Sequence, residues 1–296
     1  MPASLLQCTP LRKHTNIKMT DRYAVIGNPI SHSKSPVIHA LFAMQTGEDI
    51  SYEAIEAPLD GFAATIERLR KEGYKGCNVT VPFKFQAFQL VDQVGRARLT
   101  AKVAQAANTL SFHEHGVTYG DNTDGAGLVR DIEQNCGIQL HGKRVLLMGA
   151  GGAAFGVALP LVNTACQLSV VNRTEVKTRQ LAATFRGVRP LTYENLPGLQ
   201  FDVIINATSA GLTDSEVPLP SSPLLAKGGQ GGIFAANALA YDMMYGRETP
   251  FMKLAREQGA TVVDGLGMLV EQAAEAFFIW RDVRPLTAPV IAQLRK

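Results

Sequence analysis

The feature that most limits how this chain can fold is a long stretch, from Val145 to Asn172, that carries no charged side chain. A stretch of this length is long enough to cross a lipid bilayer. It contains four glycines and a proline, however, and it divides into a strand, a turn, a helix and a second strand. Strands that are buried on both faces of a parallel sheet are apolar throughout. We therefore interpret the stretch as a β-α-β unit, and we expect no membrane partner.

The turn of this unit has the spacing of a dinucleotide-binding motif, because Gly149, Gly151 and Ala154 form the pattern Gly-x-Gly-x-x-Ala at the start of the helix. The first glycine allows a tight turn, the second lets the backbone approach a pyrophosphate, and a small third residue lets the helix pack closely on the strand. The helix N-terminus supplies free N–H groups and a partial positive charge. An isolated match also occurs in turns that bind nothing. The expected cofactor-binding residues here are Gly149, Ala150, Gly151, Gly152 and Ala153.

The end of the second strand indicates which dinucleotide binds. NAD-binding proteins place an acidic residue here, which holds the ribose 2′-hydroxyl. This chain has Asn172, Arg173 and Thr174 instead, and Lys177 follows one turn later. A permanently charged, bidentate guanidinium suits a 2′-phosphate, so the sequence predicts NADP as the cofactor. The alternative is that Arg173 is only an exposed residue at the start of a helix.

Length, charge and cysteine content limit the other function classes. A chain of 296 residues favours about two domains. The net charge of +3 lies within residues 1–22, which we interpret as a disordered extension. Residues 23–296 are therefore neutral and give no reason to expect a nucleic-acid partner. The four cysteines lack any C-x-x-C spacing, which argues against disulfides and metal sites and favours the cytoplasm.

Three clusters of polar residues stand out from apolar surroundings. They are Ser33 and Ser35 between a strand and a helix, Asn78 to Lys84 after a later strand, and Asn108 with Gly120–Gly125 at the junction of the two halves. The first cluster predicts an anion pocket or simply an N-cap. The second lies at a strand end, where ligands bind in parallel sheets. The third has more carboxylates and amides than a helix cap requires.

In their order along the chain, these motifs resemble the shikimate dehydrogenase family from about Tyr23 to the C-terminus. The matching segments are GNPISHSKSP, NVTVPFK, AANTL, GDNTDGAG, GAGGAAFG, NRT, INATSAG, YDMMY and DGLGMLVEQAA. The resemblance implies reversible, NADP-dependent oxidation of shikimate to 3-dehydroshikimate by hydride transfer, in aromatic amino-acid (chorismate) biosynthesis. Two segments depart from the family. Ala154-Phe155 replaces a small polar and a basic residue, and the GGQGG loop at Gly228–Gly232 begins a longer stretch than usual.

The resemblance also implies roles for individual residues. Lys84 and Asp124 are the expected acid–base pair beside the reacting hydroxyl. Ser33 and Ser35 would hold the shikimate carboxylate. Gly265 is expected beside the nicotinamide. The other expected substrate-binding residues are Asn78, Thr80, Asn108, Tyr241 and Gln272.

The fold that the resemblance implies is α/β, with two α/β domains on either side of a cleft. A substrate-binding domain with a mostly parallel sheet would comprise residues 23–123 and, because the C-terminal helices return to it, residues 270–296. A Rossmann-type NADP domain would comprise residues 124–269. A hinge at the two crossings would close the cleft over a small-molecule substrate, in a monomer or a homodimer.

Two other functions remain open from the residues alone. A quinate/shikimate dehydrogenase acts on a related hydroxylated ring and favours NAD. Arg173 weighs against it, but Ser33 and Thr80 do not decide whether quinate is excluded. A non-catalytic NADP-binding sensor with the same fold is expected to have lost Lys84 or Asp124, and this chain has both.

Overall fold

Two β-sheets organise the part of the chain that this computed structural model describes, residues 20–208 and 232–296. The strands of the first sheet lie in the spatial order β2-β1-β3-β4-β5. They are β1 (Asp21–Gly27), β2 (Ile50–Glu56), β3 (Gly76–Val79), β4 (Thr109–Phe112) and β5 (Thr118–Asp121). The expected parallel arrangement holds for β1 to β3, whereas β4 and β5 form an antiparallel hairpin at the edge.

The second sheet has six strands in the order β11-β10-β9-β6-β7-β8, and all its pairings are parallel. The strands are β6 (Arg144–Met148), β7 (Gln167–Val171), β8 (Arg189–Leu191), β9 (Phe201–Asn206), β10 (Phe234–Asp242) and β11 (Thr261–Asp264). In β6, Val145 and Leu147 pack into one core cluster, while Leu146 and Met148 pack into the cluster on the opposite face. Burial of both faces explains why this segment has no charges.

Ten helices cover the two sheets in the described residues. They are α1 (Ser35–Thr46), α2 (Phe62–Lys71), α3 (Lys84–Asp92), α4 (Leu99–Ala104), α5 (Asp124–Arg130), α6 (Gly152–Asn163), α7 (Glu175–Thr184), α8 (Pro250–Glu257), α9 (Leu266–Arg281) and α10 (Ala288–Leu294). Helices α6 and α7 are the crossovers between β6, β7 and β8, so the Rossmann-type unit is confirmed. No helix in this part of the chain is long and apolar enough to span a membrane.

The long helix α9 connects the two halves of the molecule. It packs against both α5 and α1. Near its end, Trp280 Nε1 donates a hydrogen bond to the Leu110 carbonyl oxygen in β4 at 3.1 Å. Arg281 forms an ion pair with Asp21 in β1 at 2.5 Å. The C-terminal helices therefore return to the first sheet, as the sequence predicts.

At two of the expected domain boundaries, the secondary structure favours a different limit. The sequence places the extension at residues 1–22, but β1 begins at Asp21, and Arg22 pairs with Glu53 of β2. Residue 270 lies inside the continuous helix α9, so a domain boundary there would divide a helix. Residues 1–19 and nearly all of the loop predicted at Gly228–Gly232 lie outside the described residues.

Candidate active site

The first half of the site lies at the edge of the sheet where β1 and β3 end. The turn after β1 contains Ser33, and Ser35 begins α1. The segment after β3 contains Thr80, and Lys84 begins α3. Because the carboxyl ends of parallel strands meet at one edge, these side chains surround a single cavity. Its polar lining includes all the predicted substrate-side residues except Tyr241, namely Ser33, Ser35, Asn78, Thr80, Lys84, Asn108, Asp124 and Gln272.

Lys84 and Asp124 form a close ion pair in this cavity. Lys84 Nζ lies 2.6 Å from Asp124 Oδ2, and the exposed fractions of the two side chains are 30% and 11%. Asp124 is the first residue of α5, where the positive end of the helix dipole favours a carboxylate. The pair therefore has the geometry for moving a proton between an amine and a carboxylate beside a bound molecule.

Asn108 holds Asp124 in place. Its Nδ2 donates to Asp124 Oδ1 at 2.8 Å and to Thr123 Oγ1 at 3.0 Å. Its Oδ1 accepts a hydrogen bond from the Thr123 backbone N–H at 2.9 Å. Gln272 Oε1, from α9, lies 3.4 Å from Asn108 Nδ2. The amide network thus links the hairpin, α5 and α9 around one carboxylate.

The second half of the site is a cavity at the carboxyl ends of β6 and β7. Gly149 has φ +107°, a conformation that favours glycine, and a Cβ there would lie 3.0 Å from the Ala207 carbonyl oxygen. Gly151 and Gly152 face open space at the start of α6. The predicted cofactor residues in its lining are Gly149, Ala150, Gly151, Gly152, Ala153, Asn172, Arg173, Thr174 and Lys177.

These residues fit a phosphorylated dinucleotide. The open backbone at the start of α6 can approach a pyrophosphate closely. The free N–H groups of the helix would donate hydrogen bonds to the pyrophosphate oxygens. Arg173 and Lys177 line the far side of the cavity, and neither pairs with a carboxylate within residues 20–208 and 232–296. Burial raises the pKa of the neighbouring Tyr193 to about 12, and the charge of Arg173 opposes that rise. Two cations placed in this way suit a 2′-phosphate.

The two cavities meet at the ion pair. Lys84 and Asp124 line both, and so do Thr80, Val81, Met243, Tyr245 and Met268. Gly265 lines the substrate cavity beside this junction. Within the described residues, no group of three or more His, Cys, Asp or Glu side chains has the arrangement of a metal site.

The structure contradicts the placement of Tyr241 in the substrate pocket. Tyr241 is fully buried in β10, and its hydroxyl donates a hydrogen bond to Asp131 Oδ2 at 2.5 Å. Side chains alternate along a strand, so Tyr241 and Leu239 share the face that packs into the core. Tyr245, which follows the carboxyl end of β10, lines both cavities instead.

Several lining residues were not expected from the sequence. Among them are Tyr245, Met243, Met268 and, at the cofactor end, Tyr193. Tyr245 and Met243 follow directly after β10, so a correct placement of that strand's end would have indicated them. Met268 and Tyr193 carry no such signal, because a methionine or a tyrosine in an apolar setting is usually a core residue.

Comparisons with known proteins agree over nearly the whole chain. The family model described as the shikimate dehydrogenase substrate binding domain matches residues 25–110. The model described as shikimate / quinate 5-dehydrogenase matches residues 131–213, and that of the shikimate 5′-dehydrogenase C-terminal domain matches residues 265–295. The shikimate dehydrogenase (NADP(+)) of Methylobacillus flagellatus is 56% identical over 281 residues, which cover 93% of this chain and 99% of that protein.

Solved structures of similar proteins have the same fold. An Ael1 enzyme from Pseudomonas putida is 48% identical, with a TM-score of 0.84, over 93% of this chain and 98% of that one. The shikimate 5-dehydrogenase of Thermus thermophilus is 32% identical, with a TM-score of 0.79, over the same shares of the two chains. That enzyme was solved in complex with NADP(H) and shikimate.

Proposed function

The chain belongs to the shikimate dehydrogenase family, and we propose that it oxidises shikimate reversibly to 3-dehydroshikimate with NADP⁺, a step of aromatic amino-acid biosynthesis. The observation that carries the proposal is the Lys84–Asp124 pair at the junction of two cavities. A reaction that moves both a hydride and a proton needs its substrate, its cofactor and a proton carrier at one place.

The substrate cavity can orient a hydroxylated ring that carries a carboxylate. Ser33 and Ser35 lie at the N-terminus of α1, where hydroxyls and the helix dipole favour an anion, so they would bind the carboxylate. The ring hydroxyls would contact Asn78, Thr80, Asn108 and Gln272. Tyr245, which lines this cavity, would contact the substrate in place of Tyr241, the tyrosine that the resemblance implies.

Lys84 and Asp124 would move the proton. Nζ and Oδ2 are 2.6 Å apart, so a proton can pass from the ammonium to the carboxylate along their hydrogen bond. Nζ then has a lone pair to accept the proton of the reacting hydroxyl. Asn108 keeps the carboxylate aimed at Nζ by bonding its other oxygen. The reverse sequence returns the proton when 3-dehydroshikimate is reduced.

The cofactor cavity would hold NADP along the segment that follows β6. Residues 149–153 and the N-terminus of α6 would bind the pyrophosphate, while residues 172–174 with Lys177 would bind the 2′-phosphate. Gly265 lies at the cavity junction, where the nicotinamide would sit. When bound, the nicotinamide accepts the hydride from the substrate carbon.

The domain division follows from the same assignment. We assign residues 21–123 and 266–296 to the substrate domain and residues 124–265 to the NADP domain, because α9 is continuous from Leu266.

We infer that the enzyme acts in the cytoplasm as a monomer or a homodimer and binds small molecules, not nucleic acid. The neutral charge of residues 23–296 and the scattered cysteines support this.

The test compares the wild-type protein with Lys84→Ala in an assay that follows NADPH absorbance. Wild type with shikimate and NADP⁺ should produce NADPH. Lys84→Ala should lower kcat by about 10²- to 10⁴-fold with only a small change in KM, because the lost group moves a proton in the transition state. The matched control is Lys71→Ala, an exposed lysine in the last turn of α2, which should behave as wild type.

Two results would contradict the proposal. A wild-type protein that forms no NADPH from shikimate would refute the function itself. Near-normal kcat in Lys84→Ala would leave the function intact and remove Lys84 from the mechanism.

The family model that names quinate as well as shikimate favours a second candidate, a dehydrogenase that accepts both rings.

A further inference from the structure

Tyr52 lies beneath the substrate cavity without being part of its lining. It belongs to β2, and its ring stacks on the buried imidazole of His39 with centroids 4.0 Å apart and planes 5° apart. Trp280 of α9 packs near the same ring at 6.4 Å. Burial lowers the pKa of His39 to about 3, so the imidazole is neutral and the stack carries no charge. The Tyr52 ring is therefore fixed by neighbours from α1 and α9.

The Tyr52 hydroxyl points at Asn78, a substrate-side residue. It donates a hydrogen bond to Asn78 Oδ1 at 2.7 Å. The other end of the same amide, Nδ2, donates to the Asn108 carbonyl oxygen at 3.2 Å and to Thr109 Oγ1 at 3.1 Å. Both amide hydrogens and one lone pair of the oxygen are thus engaged within the protein. The imidazole of His39 also interacts with the Asn78 side chain, and this contact opposes the lowering of the His39 pKa. Beside these neighbours, the Tyr52 bond leaves the second lone pair of Oδ1 for a ligand.

We propose that Tyr52 is a positioning residue for substrate binding, whose hydroxyl orients the Asn78 amide so that Oδ1 accepts a hydrogen bond from a substrate hydroxyl. This rests on the proposed function, which supplies a ring with several hydroxyls. Without the donor at Oδ1, the amide loses one of the three bonds that define its rotation. A pre-oriented acceptor binds more tightly than one that must be ordered on binding.

The Tyr52 hydroxyl has a second polar neighbour in α1. The Ser35 hydroxyl interacts with it, and this contact opposes the rise that burial causes in the Tyr52 pKa. Ser35 belongs to α1 and Asn78 to β3, so one hydroxyl from β2 lies between residues that would bind opposite ends of the substrate. From outside the lining, the Tyr52 hydroxyl therefore contacts two residues that do line the cavity.

A double-mutant cycle tests the proposal. Tyr52→Phe keeps the ring stack on His39 and removes only the hydroxyl, so it should raise KM for shikimate about three- to tenfold while kcat changes less than about twofold. In an Asn78→Ala background the same change should alter KM by less than about twofold, because the residue through which Tyr52 acts is gone. Equal effects of Tyr52→Phe in both backgrounds would overturn the proposal.

The control is Tyr23→Phe, which removes a comparable hydroxyl from the neighbouring strand. Tyr23 is the register partner of Tyr52 and stacks on the same Trp280 at 4.6 Å, but its hydroxyl contacts Arg281. It should leave KM unchanged. A rise in KM equal to that of Tyr52→Phe would contradict the proposal, because it would show a general response to loosening α9.

A second measurement does not depend on the variant folding or on the proposed reaction. In wild-type protein, NMR should detect a slowly exchanging Tyr52 hydroxyl proton with a nuclear Overhauser contact to the Asn78 side chain. Rapid exchange of that proton would overturn the positioning role. Failure of the wild type to turn over shikimate would instead refute the function and leave the NMR result standing.

Discussion

Arg173 lies two residues beyond Val171, the last residue of β7, and lines the cofactor cavity together with Lys177. No acidic residue stands at this strand end, where NAD-binding proteins hold the ribose 2′-hydroxyl. This position was predictable from the sequence, because the motif spacing and the strand end are both local features. What the structure adds is that the guanidinium is open to the cavity and is not used by a carboxylate in the described part of the chain.

The prediction at this residue concerns the choice of cofactor. Arg173→Ala should raise KM for NADP⁺ about 10- to 100-fold, since a hydrogen-bonded charge pair with the 2′-phosphate is lost. KM for NAD⁺ should change less than about threefold. Arg179→Ala is the control, because Arg179 lies on α7 and pairs with Glu175 on the exposed surface. An equal rise in KM for NADP⁺ and for NAD⁺ would show that Arg173 does not contact the 2′-phosphate.

Among the elements, α9 shows how a core residue supports the site from behind. Its N-cap residue, Gly265, has no side chain to satisfy the first N–H groups. The Tyr241 hydroxyl accepts from the Met268 N–H at 3.3 Å and donates to Asp131 Oδ2 at 2.5 Å. A side chain at Gly267 would collide with the Asp131 carboxylate. The glycine at this position therefore lets the carboxylate approach the positive, N-terminal end of α9. Tyr241 therefore caps α9.

Tyr241→Phe should lower the free energy of unfolding by about 1–3 kcal/mol, because Asp131 and the Met268 N–H lose a buried partner. Denaturant or thermal unfolding measures this. KM for shikimate should change little at temperatures well below Tm. Tyr245→Phe should do the reverse, with a higher KM and nearly unchanged Tm, because Tyr245 lines the cavity. If Tyr241→Phe instead raised KM strongly without lowering stability, Tyr241 would contact the substrate and this account of its role would be wrong.

Three features of the strands could not be predicted from the sequence. The end of β10 decides between Tyr241 and Tyr245, and the run of alanines around it has no clear alternation of polar and apolar residues. β8 has only three residues, two of them exposed and one a proline, so it gives almost no strand signal. Tyr52 and Asn78 become neighbours only through the order of strands β2, β1 and β3.

In the whole molecule, the substrate cavity and the cofactor cavity meet between the two sheets. The α/β class and the cofactor motif were predictable because hydrophobic periodicity and glycine spacing are local. The contact between the cavities was not, because it depends on how α5 and α9 pack together. Residue 270, where the sequence predicts the second crossing between the domains, lies inside the continuous helix α9, so we expect α9 to move as a unit in any closure.

The most direct test of the molecule's function is a four-way comparison of kcat/KM with shikimate or quinate and with NADP⁺ or NAD⁺, read from nicotinamide absorbance. Shikimate with NADP⁺ should give the highest kcat/KM of the four, and with shikimate NADP⁺ should exceed NAD⁺ at least about tenfold, because Arg173 and Lys177 favour the 2′-phosphate. Turnover of quinate with NAD⁺ at an equal or higher kcat/KM would contradict the assignment and favour a quinate/shikimate dehydrogenase.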